Sequence, residues 1–150
     1  HLKGMFCVAK PAAVVFRQQR SGRIIGFTST SGLYGNVGQS NYGAAKEGVA
    51  GFVRTAARDL GKYGATVNAI APTAATRMTV SIPDSVRQSK AKAGIASNVG
   101  GADFAGGKGL EPEAIAPMAV FLCTDAASGI NGQLFHVQGG EIAFRLAGSG

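Results

Sequence analysis

A tyrosine and a lysine stand four residues apart in the first half of the chain, as Tyr42 and Lys46. If both lie in one helix, this spacing puts their side chains on the same face with their tips a few ångströms apart. A phenol works as a base near neutral pH only where positive charge stabilises its phenolate. A lysine cation at about 6 Å supplies roughly 2.8 kcal/mol of such stabilisation at an effective dielectric constant near 20. The pair could therefore move a proton on an alcohol or a ketone.

The spacing alone favours a plainer interpretation, because tyrosine and lysine four residues apart are also common surface neighbours on helices. Ser29 adds a second observation. It stands thirteen residues before Tyr42 and directly follows residues 22–28, a short apolar stretch typical of a buried strand. A hydroxyl at the carboxyl end of a strand can face the first turn of the next helix, and open α/β sheets bind ligands at that end.

Two amphipathic helices are predicted to hold these groups in place. Apolar residues recur at three- and four-residue spacing over residues 2–19 and again over residues 40–60. Pro11 predicts a kink in the first helix, because proline removes a backbone donor and costs about 3 kcal/mol in a helix interior. We expect Gly61 to cap the end of the second helix.

Two further apolar stretches, residues 66–71 and 133–137, predict buried strands, and Pro72 is expected to stop the first of them. Glu111-Pro112-Glu113 is typical of the first turn of a helix, in which Pro117 predicts a bend. The alternation of strand, helix and strand predicts an α/β protein with a parallel sheet and crossover helices.

Residues 94–109 contain six glycines and show no sustained periodicity, so we predict a mobile loop that could serve as a lid. Part of this stretch, from Gly101 to Gly109, nearly spells a phosphate-binding loop. Lys108, however, is one place late, Gly109 stands where serine or threonine would bind magnesium, and no strand precedes the segment. A phosphate-binding loop is therefore not predicted here.

The composition narrows the class of partner. The chain has 150 residues, 45% of them hydrophobic, and a net charge of +7. Its basic residues are scattered, which favours solubility or attraction to an anionic ligand over nucleic-acid binding. No run approaches the roughly 18 apolar residues of a membrane helix, and the start lacks the apolar core of a signal peptide. We therefore expect a soluble, intracellular protein with no nucleic-acid or membrane partner.

Cys7 and Cys123 stand far apart, each inside an apolar helical pattern. We expect buried thiols, and neither a disulfide framework nor a metal site. His136, on a short apolar stretch, is expected to be a hydrogen-bonded core or interface histidine rather than a ligand. The chain opens at His1 inside a helical pattern, without an initiator methionine, so we expect that a preceding half is missing.

Three features together, Ser29, Tyr42-Gly-Ala-Ala-Lys46 and Asn68-Ala-Ile-Ala-Pro72, resemble the short-chain dehydrogenase/reductase superfamily over essentially the whole chain. The resemblance implies a Rossmann-type, doubly wound parallel sheet, of which residues 1–150 are the C-terminal, catalytic half of one domain. It implies that Tyr42 is the general acid/base, that Ser29 steadies the substrate oxygen, and that Lys46 binds the nicotinamide ribose and stabilises the phenolate. The hydroxyls next to Ser29 lack the thirteen-residue spacing of this family.

The implied cofactor is NAD or NADP, with NAD slightly favoured, because the segment that selects between them precedes the first helix of this chain in the family. Members often follow the Asn-containing strand with Pro-Gly and a threonine that contacts the carboxamide. Here Pro72-Thr73-Ala-Ala-Thr76 is one residue shorter, and Thr76 is the candidate for that contact beside Pro72 and Thr73. His1 aligns with an asparagine that completes a proton relay in many members. An imidazole could relay protons too, or the residue could be inert.

A finer resemblance is to the (3R)-hydroxyacyl-CoA dehydrogenase unit of peroxisomal multifunctional enzyme type 2 and its bacterial relatives. It rests on residues 1–4, 31–36, 71–79 and 132–137. It implies NAD-dependent oxidation of 3-hydroxyacyl-CoA to 3-oxoacyl-CoA, a step of fatty acid metabolism. The alternatives are a 3-oxoacyl-ACP reductase or another secondary-alcohol dehydrogenase and, outside enzymes, a non-catalytic oligomerising or binding scaffold. Because the C-terminus is not Ser-Lys-Leu, a bacterial cytoplasm is the expected location.

The superfamily resemblance also implies an assembly. Its members usually pair the helices that correspond to residues 2–19 and 40–61, so a homodimer or homotetramer through these helices is expected. Gly48 and Gly51 lie on the second helix and are compatible with the close approach of another backbone. The resemblance implies no metal ion.

Overall fold

The computed structural model describes residues 1–76, 85, 88, 92 and 110–145. The predicted mobile loop at residues 94–109 lies outside these described residues. The helices are α1 (Leu2–Gln19), α2 (Thr30–Leu33), α3 (Ser40–Gly61) and α4 (Ala116–Cys123), with 3-10 turns at Pro112–Ile115 and Asp125–Ala127. The strands are β1 (Gly22–Phe27), β2 (Ala65–Thr73), β3 (Leu134–Gln138) and β4 (Glu141–Arg145).

The strands form one four-stranded sheet in the order β1-β2-β3-β4. β1, β2 and β3 are parallel to one another, as predicted, and Ile25 lies opposite Asn68 while Ala71 lies opposite His136. β4 runs antiparallel to β3 and was not predicted from the sequence. β4 is short and exposed, and it forms because it pairs with β3 across a turn. Gly139 lies in this turn and has a positive φ of 58°.

Helices cover both faces of the sheet, because successive side chains of a strand point to opposite faces. On one face, Val53 and Leu60 of α3 pack against Val67 and the alternate alanines that follow it on β2. On the other face, α4 and the turn before it pack against β2 and β3 through a second cluster: Ile70, Ile115, Met118, Leu122, Phe135 and Val137. β2 is the central element, since both clusters include it.

β2 continues through Pro72 to Thr73, so the prediction that Pro72 stops this strand is wrong. The Ile70 carbonyl accepts a hydrogen bond from the Thr28 amide, which shows that the backbone groups of Ile70 face β1. Pro72, two residues further on, faces the same side. β1 has already ended at Phe27, so the missing N–H of the proline costs no ladder hydrogen bond.

The two long helices have the predicted extents, and Pro11 lies inside a continuous α1. Gly61, predicted as the cap of α3, is instead its last helical residue, and Lys62 is the cap. The left-handed backbone comes later, at Gly64, with a φ of 77°. Pro117 lies in the first turn of α4, where the chain changes from a 3-10 turn to an α-helix.

Both cysteines are exposed, so the prediction of buried thiols is wrong. Cys7 lies on α1, whose one buried residue is Ala9, and the rest of that helix is covered by little else in the described part of the chain. Cys123 is the last residue of α4, where the helix reaches the surface. None of the described helices is both long enough and apolar enough to cross a membrane.

Candidate active site

α3 places Tyr42 and Lys46 on one face, as their spacing predicts. The Lys46 ammonium lies 5.7 Å from the centre of the Tyr42 ring. Lys46 is only 9% exposed, and its Nζ donates a hydrogen bond of 2.9 Å to the carbonyl of Phe27, the last residue of β1. The cation is therefore held between the tyrosine ring and the carboxyl end of β1.

Ser29 lies two residues beyond this carbonyl and begins α2. Its Oγ accepts a hydrogen bond of 3.2 Å from the Ser31 amide, which satisfies a donor of the first helical turn. A hydroxyl that accepts in this way still has its own proton to donate. Because Phe27 is bonded to Lys46, the strand end brings the Ser29 segment to the same part of α3 as the Tyr42–Lys46 pair.

Two neighbouring hydroxyls of this segment, those of Thr28 and Ser31, form hydrogen bonds inside the protein. Thr28 Oγ1 donates to the Lys46 carbonyl at 2.7 Å, and Ser31 Oγ lies 2.8 Å from the Gln39 side-chain oxygen. Thr28 and Ser31 are both buried. Sequence reasoning weighed these residues only as rivals of Ser29 and missed their contacts with α3 and the loop before it, which follow from the packing of β1 and α2 on α3.

His1 lies against the tyrosine. The two rings meet edge to face, with 5.5 Å between their centres. His1 is exposed and precedes α1 without capping it through its side chain. The fold therefore brings His1 and Tyr42 together, although they are far apart in sequence.

The further residues predicted to bind the cofactor lie at the carboxyl end of β2 and just beyond it, next to the end of β1. Pro72, Thr73 and Thr76 are half-buried there. Thr73 Oγ1 lies 2.9 Å from Nε2 of His136 on the adjacent strand β3. Burial lowers the pKa of His136, because removal from water disfavours its cation. The prediction of a hydrogen-bonded histidine within the fold is confirmed.

The described residues contain no group of three or more histidine, cysteine, aspartate or glutamate side chains that could hold a metal ion. The site is instead built from hydroxyls, one phenol and one ammonium. The ammonium carries three N–H donors, and one of them bonds to Phe27. The remaining donors at the strand end suit the vicinal hydroxyls of a ribose, so these residues fit a nicotinamide nucleotide.

Comparisons with known proteins agree with this geometry. Residues 1–141 match the family model described as enoyl-(acyl carrier protein) reductase. The chain is 40% identical over 146 residues to the 3-oxoacyl-[acyl-carrier-protein] reductase of Synechocystis sp., with 96% of this chain and 54% of the relative covered. It is 34% identical over 150 residues to a hydroxyacyl-CoA dehydrogenase of Mycobacterium tuberculosis, with 95% of this chain and 43% of the relative covered.

Among solved structures, the full-length peroxisomal multifunctional enzyme type 2 of Drosophila melanogaster matches with a TM-score of 0.73 and 30% identity. The match covers 100% of this chain and 24% of that structure. The chain belongs to the short-chain dehydrogenase/reductase superfamily, and its sheet is of the Rossmann type. The finer resemblance to multifunctional enzyme type 2 is also confirmed. The chain spans about half the length of the Synechocystis relative and less of the other two.

Proposed function

We propose that this chain forms the catalytic half of a nicotinamide-dependent oxidoreductase that interconverts a secondary alcohol and a ketone, with residues 1–150 as part of one domain. The observation that carries the proposal is the position of the Lys46 ammonium, 5.7 Å from the Tyr42 ring and bonded to the end of β1. A buried cation beside a phenol stabilises the phenolate, and Ser29 lies at the same strand end.

In the oxidation direction, the Tyr42 phenolate takes the proton of the substrate hydroxyl while the Ser29 hydroxyl donates a hydrogen bond to the same oxygen. A nicotinamide nucleotide held by Lys46 and the end of β2 would supply the hydride acceptor for the carbinol carbon. Lys46 stabilises the phenolate and offers its free N–H donors to the ribose. In the reverse direction Tyr42 returns the proton to the ketone oxygen. His1 is a candidate to relay the proton from Tyr42 to solvent.

The cofactor is NAD or NADP, with NAD as the first expectation. Pro72 and Thr73, at the end of β2, are the proposed neighbours of the cofactor, and Thr76 is the candidate for the carboxamide contact.

The proposed substrate is an acyl thioester, 3-hydroxyacyl-CoA or its 3-oxoacyl counterpart, within fatty acid metabolism. One relative is named a hydroxyacyl-CoA dehydrogenase and another a 3-oxoacyl-[acyl-carrier-protein] reductase, so the acyl-ACP substrate is the second candidate. The net charge of +7 suits the phosphates of either carrier. A bacterial cytoplasm is the proposed location.

The proposed assembly is a homodimer or homotetramer through α1 and α3. α1 has several exposed large apolar side chains, and exposed apolar surface is typical of a region that another subunit covers. These are Leu2, Phe6, Val8, Val14 and Val15. On α3, a side chain added at Gly51 would meet nothing within 4 Å, so another helix has room to approach.

The experiment measures nicotinamide reduction by the full-length natural polypeptide that carries this chain, with 3-hydroxybutyryl-CoA and with its ACP thioester. We expect oxidation of the CoA ester and a loss of at least about 1000-fold in kcat for Tyr42→Phe, which keeps the ring but removes the acid/base group. Tyr34→Phe, at an exposed tyrosine outside the site, is the matched control. An inactive wild type with every secondary alcohol tried, and unchanged ligand binding in Tyr42→Phe, would point to the scaffold alternative.

A further inference from the structure

Phe27, Thr28 and Lys46 are joined by two hydrogen bonds that run in opposite directions between β1 and α3. The Lys46 Nζ donates to the Phe27 carbonyl at 2.9 Å, and the Thr28 hydroxyl donates to the Lys46 carbonyl at 2.7 Å. We call this arrangement the β1–α3 brace. Thr28 is 2% exposed and Lys46 is 9% exposed, so water competes little for either bond.

The backbone of Thr28 also joins the brace to the sheet. Its amide donates to the Ile70 carbonyl of β2 at 2.9 Å, while its side chain reaches α3. The same residue therefore fixes the strand end to the central strand on one side and to the helix on the other.

Gly32 of α2 makes a second close contact with the same turn of α3. A Cβ at Gly32 would lie 2.7 Å from the Glu47 amide nitrogen and 3.0 Å from the Lys46 Cβ, closer than a side chain tolerates. The backbone of α2 is thus in direct contact with α3 at the turn that contains Lys46. Ser29 lies between Thr28 and Gly32, so both of its flanks are fixed against the same turn of α3.

We propose that Thr28 is a positioning residue, whose hydroxyl sets where α3 sits against the end of β1. In doing so it fixes the Lys46 ammonium and the separation of the Ser29 hydroxyl from the Tyr42 phenol. The catalytic consequence rests on the proposed function, whereas the positioning of Lys46 does not. Small errors in such a separation are costly, because a displacement of about 1 Å can reduce a rate by about 100-fold.

The first test measures the position of Lys46 without any reaction. The protein is treated with a low dose of acetic anhydride, and the rate of acetylation of each lysine is read by mass spectrometry. Thr28→Val keeps the shape of the side chain but removes the hydroxyl. We expect Lys46 to react about 3- to 10-fold faster, as follows from the loss of one buried hydrogen bond. Thr28→Ser retains the hydroxyl and should restore the slow rate.

Two controls separate positioning from general loosening. Thr66→Val makes the same change at another buried threonine, on β2 and outside the brace, and should leave Lys46 slow. The exposed Lys62 reports the effective dose of reagent and should react equally in all variants. If Thr28→Val does not fold, Thr28→Ala carries the same prediction. Equal Lys46 rates in wild type and in the folded hydroxyl-free variant would overturn the proposal.

The second test uses the reaction. In the full-length polypeptide, Thr28→Val should lower kcat about 10-fold while the KM for the nucleotide changes less than about twofold, and Thr28→Ser should restore kcat. An active Thr28→Val with unchanged kcat would overturn the catalytic consequence. A wild type without any nicotinamide reduction would defeat the proposed function instead, and the acetylation rates would still decide the positioning of Lys46.

Discussion

Lys46 is a buried cation with three N–H donors. One of them bonds to the Phe27 carbonyl, which fixes the ammonium, and within the described residues no bond is seen for the others. An arginine would not replace it, because the planar guanidinium is larger and its donors form a rigid fork. The Ser29 oxygen accepts a hydrogen bond from the Ser31 amide, and its hydroxyl has a proton of its own to donate. Each group is therefore oriented by one bond and keeps further hydrogen-bonding capacity, which the proposed function uses.

The burial of His136 predicts that the free energy of unfolding depends on pH. Its pKa is lowered by burial in the folded protein, so the unfolded chain binds a proton first as the pH falls. Neutral His136 contributes fully to the free energy of unfolding above about pH 6.5, and this contribution decreases below that pH. Relative to His136→Gln, which retains a hydrogen-bonding group, wild type should lose free energy of unfolding between about pH 6.5 and 5 in urea titrations.

His1→Gln is the matched control for this experiment, because His1 is exposed. Parallel pH curves for wild type and His136→Gln would contradict the expected effect of burial.

Among the elements, α1 and α3 are joined at their carboxyl ends around Tyr63. Three cations, Arg17, Arg20 and Lys62, lie 5.2 Å, 5.2 Å and 5.3 Å from the centre of its ring. The Arg20 guanidinium also donates a hydrogen bond of 2.9 Å to the Lys62 carbonyl. The backbone of Arg20 is left-handed, with a φ of 60°. Cations at these positions interact favourably with the carboxyl ends of both helices, so the ring and the helix dipoles act together.

The ring of Tyr63 is therefore predicted to stabilise this junction. Tyr63→Leu should lower the free energy of unfolding by about 1 to 2 kcal/mol, because it removes the aromatic face that three cations share. Tyr63→Phe retains that face and should change the stability by less than about 0.5 kcal/mol. Urea unfolding of both variants checks this, and equal losses in the two would show that the cations contribute nothing through the ring.

Helices and strands are predicted from the sequence more accurately than the contacts between them. Periodicity located α1, α3 and the three parallel strands, and residue spacing located Ser29, Tyr42 and Lys46. The extent of β2 through Pro72 depended on where a different strand ends, which no local pattern records. The bond from Thr28 to Lys46 likewise depends on the register between β1 and α3. The exposure of Cys7 depends on how little of α1 the rest of the fold covers.

For the whole molecule, the exposed apolar side chains of α1 and the open space at Gly51 lie on the two helices proposed to form the subunit contact. A Cβ at Gly51 would meet nothing within 4 Å in the described part of the chain, so a substitution there tests association with little effect on the core.

Gly51→Arg should convert the oligomer to a monomer while the free energy of unfolding of the monomer stays equal or rises, because glycine is a poor helix former. Gly129→Arg, also at a position with nothing within 4 Å, should leave the assembly intact. Light scattering on the full-length polypeptide measures both masses. A monomeric wild type, or an oligomer that survives Gly51→Arg, would rule out this contact.

β1 is an edge strand of the sheet as described. Its Ile24 and Ile25 are only half-buried and Phe27 is 47% exposed, whereas Val67 and Ile70 of the central strand are fully buried. An edge of this kind offers a row of main-chain donors and acceptors to any extended segment. Because β1 ends two residues before Ser29, a strand that paired with this edge would lie next to the candidate site. Its folding would then also reduce the exposure of the Ser29 segment to water.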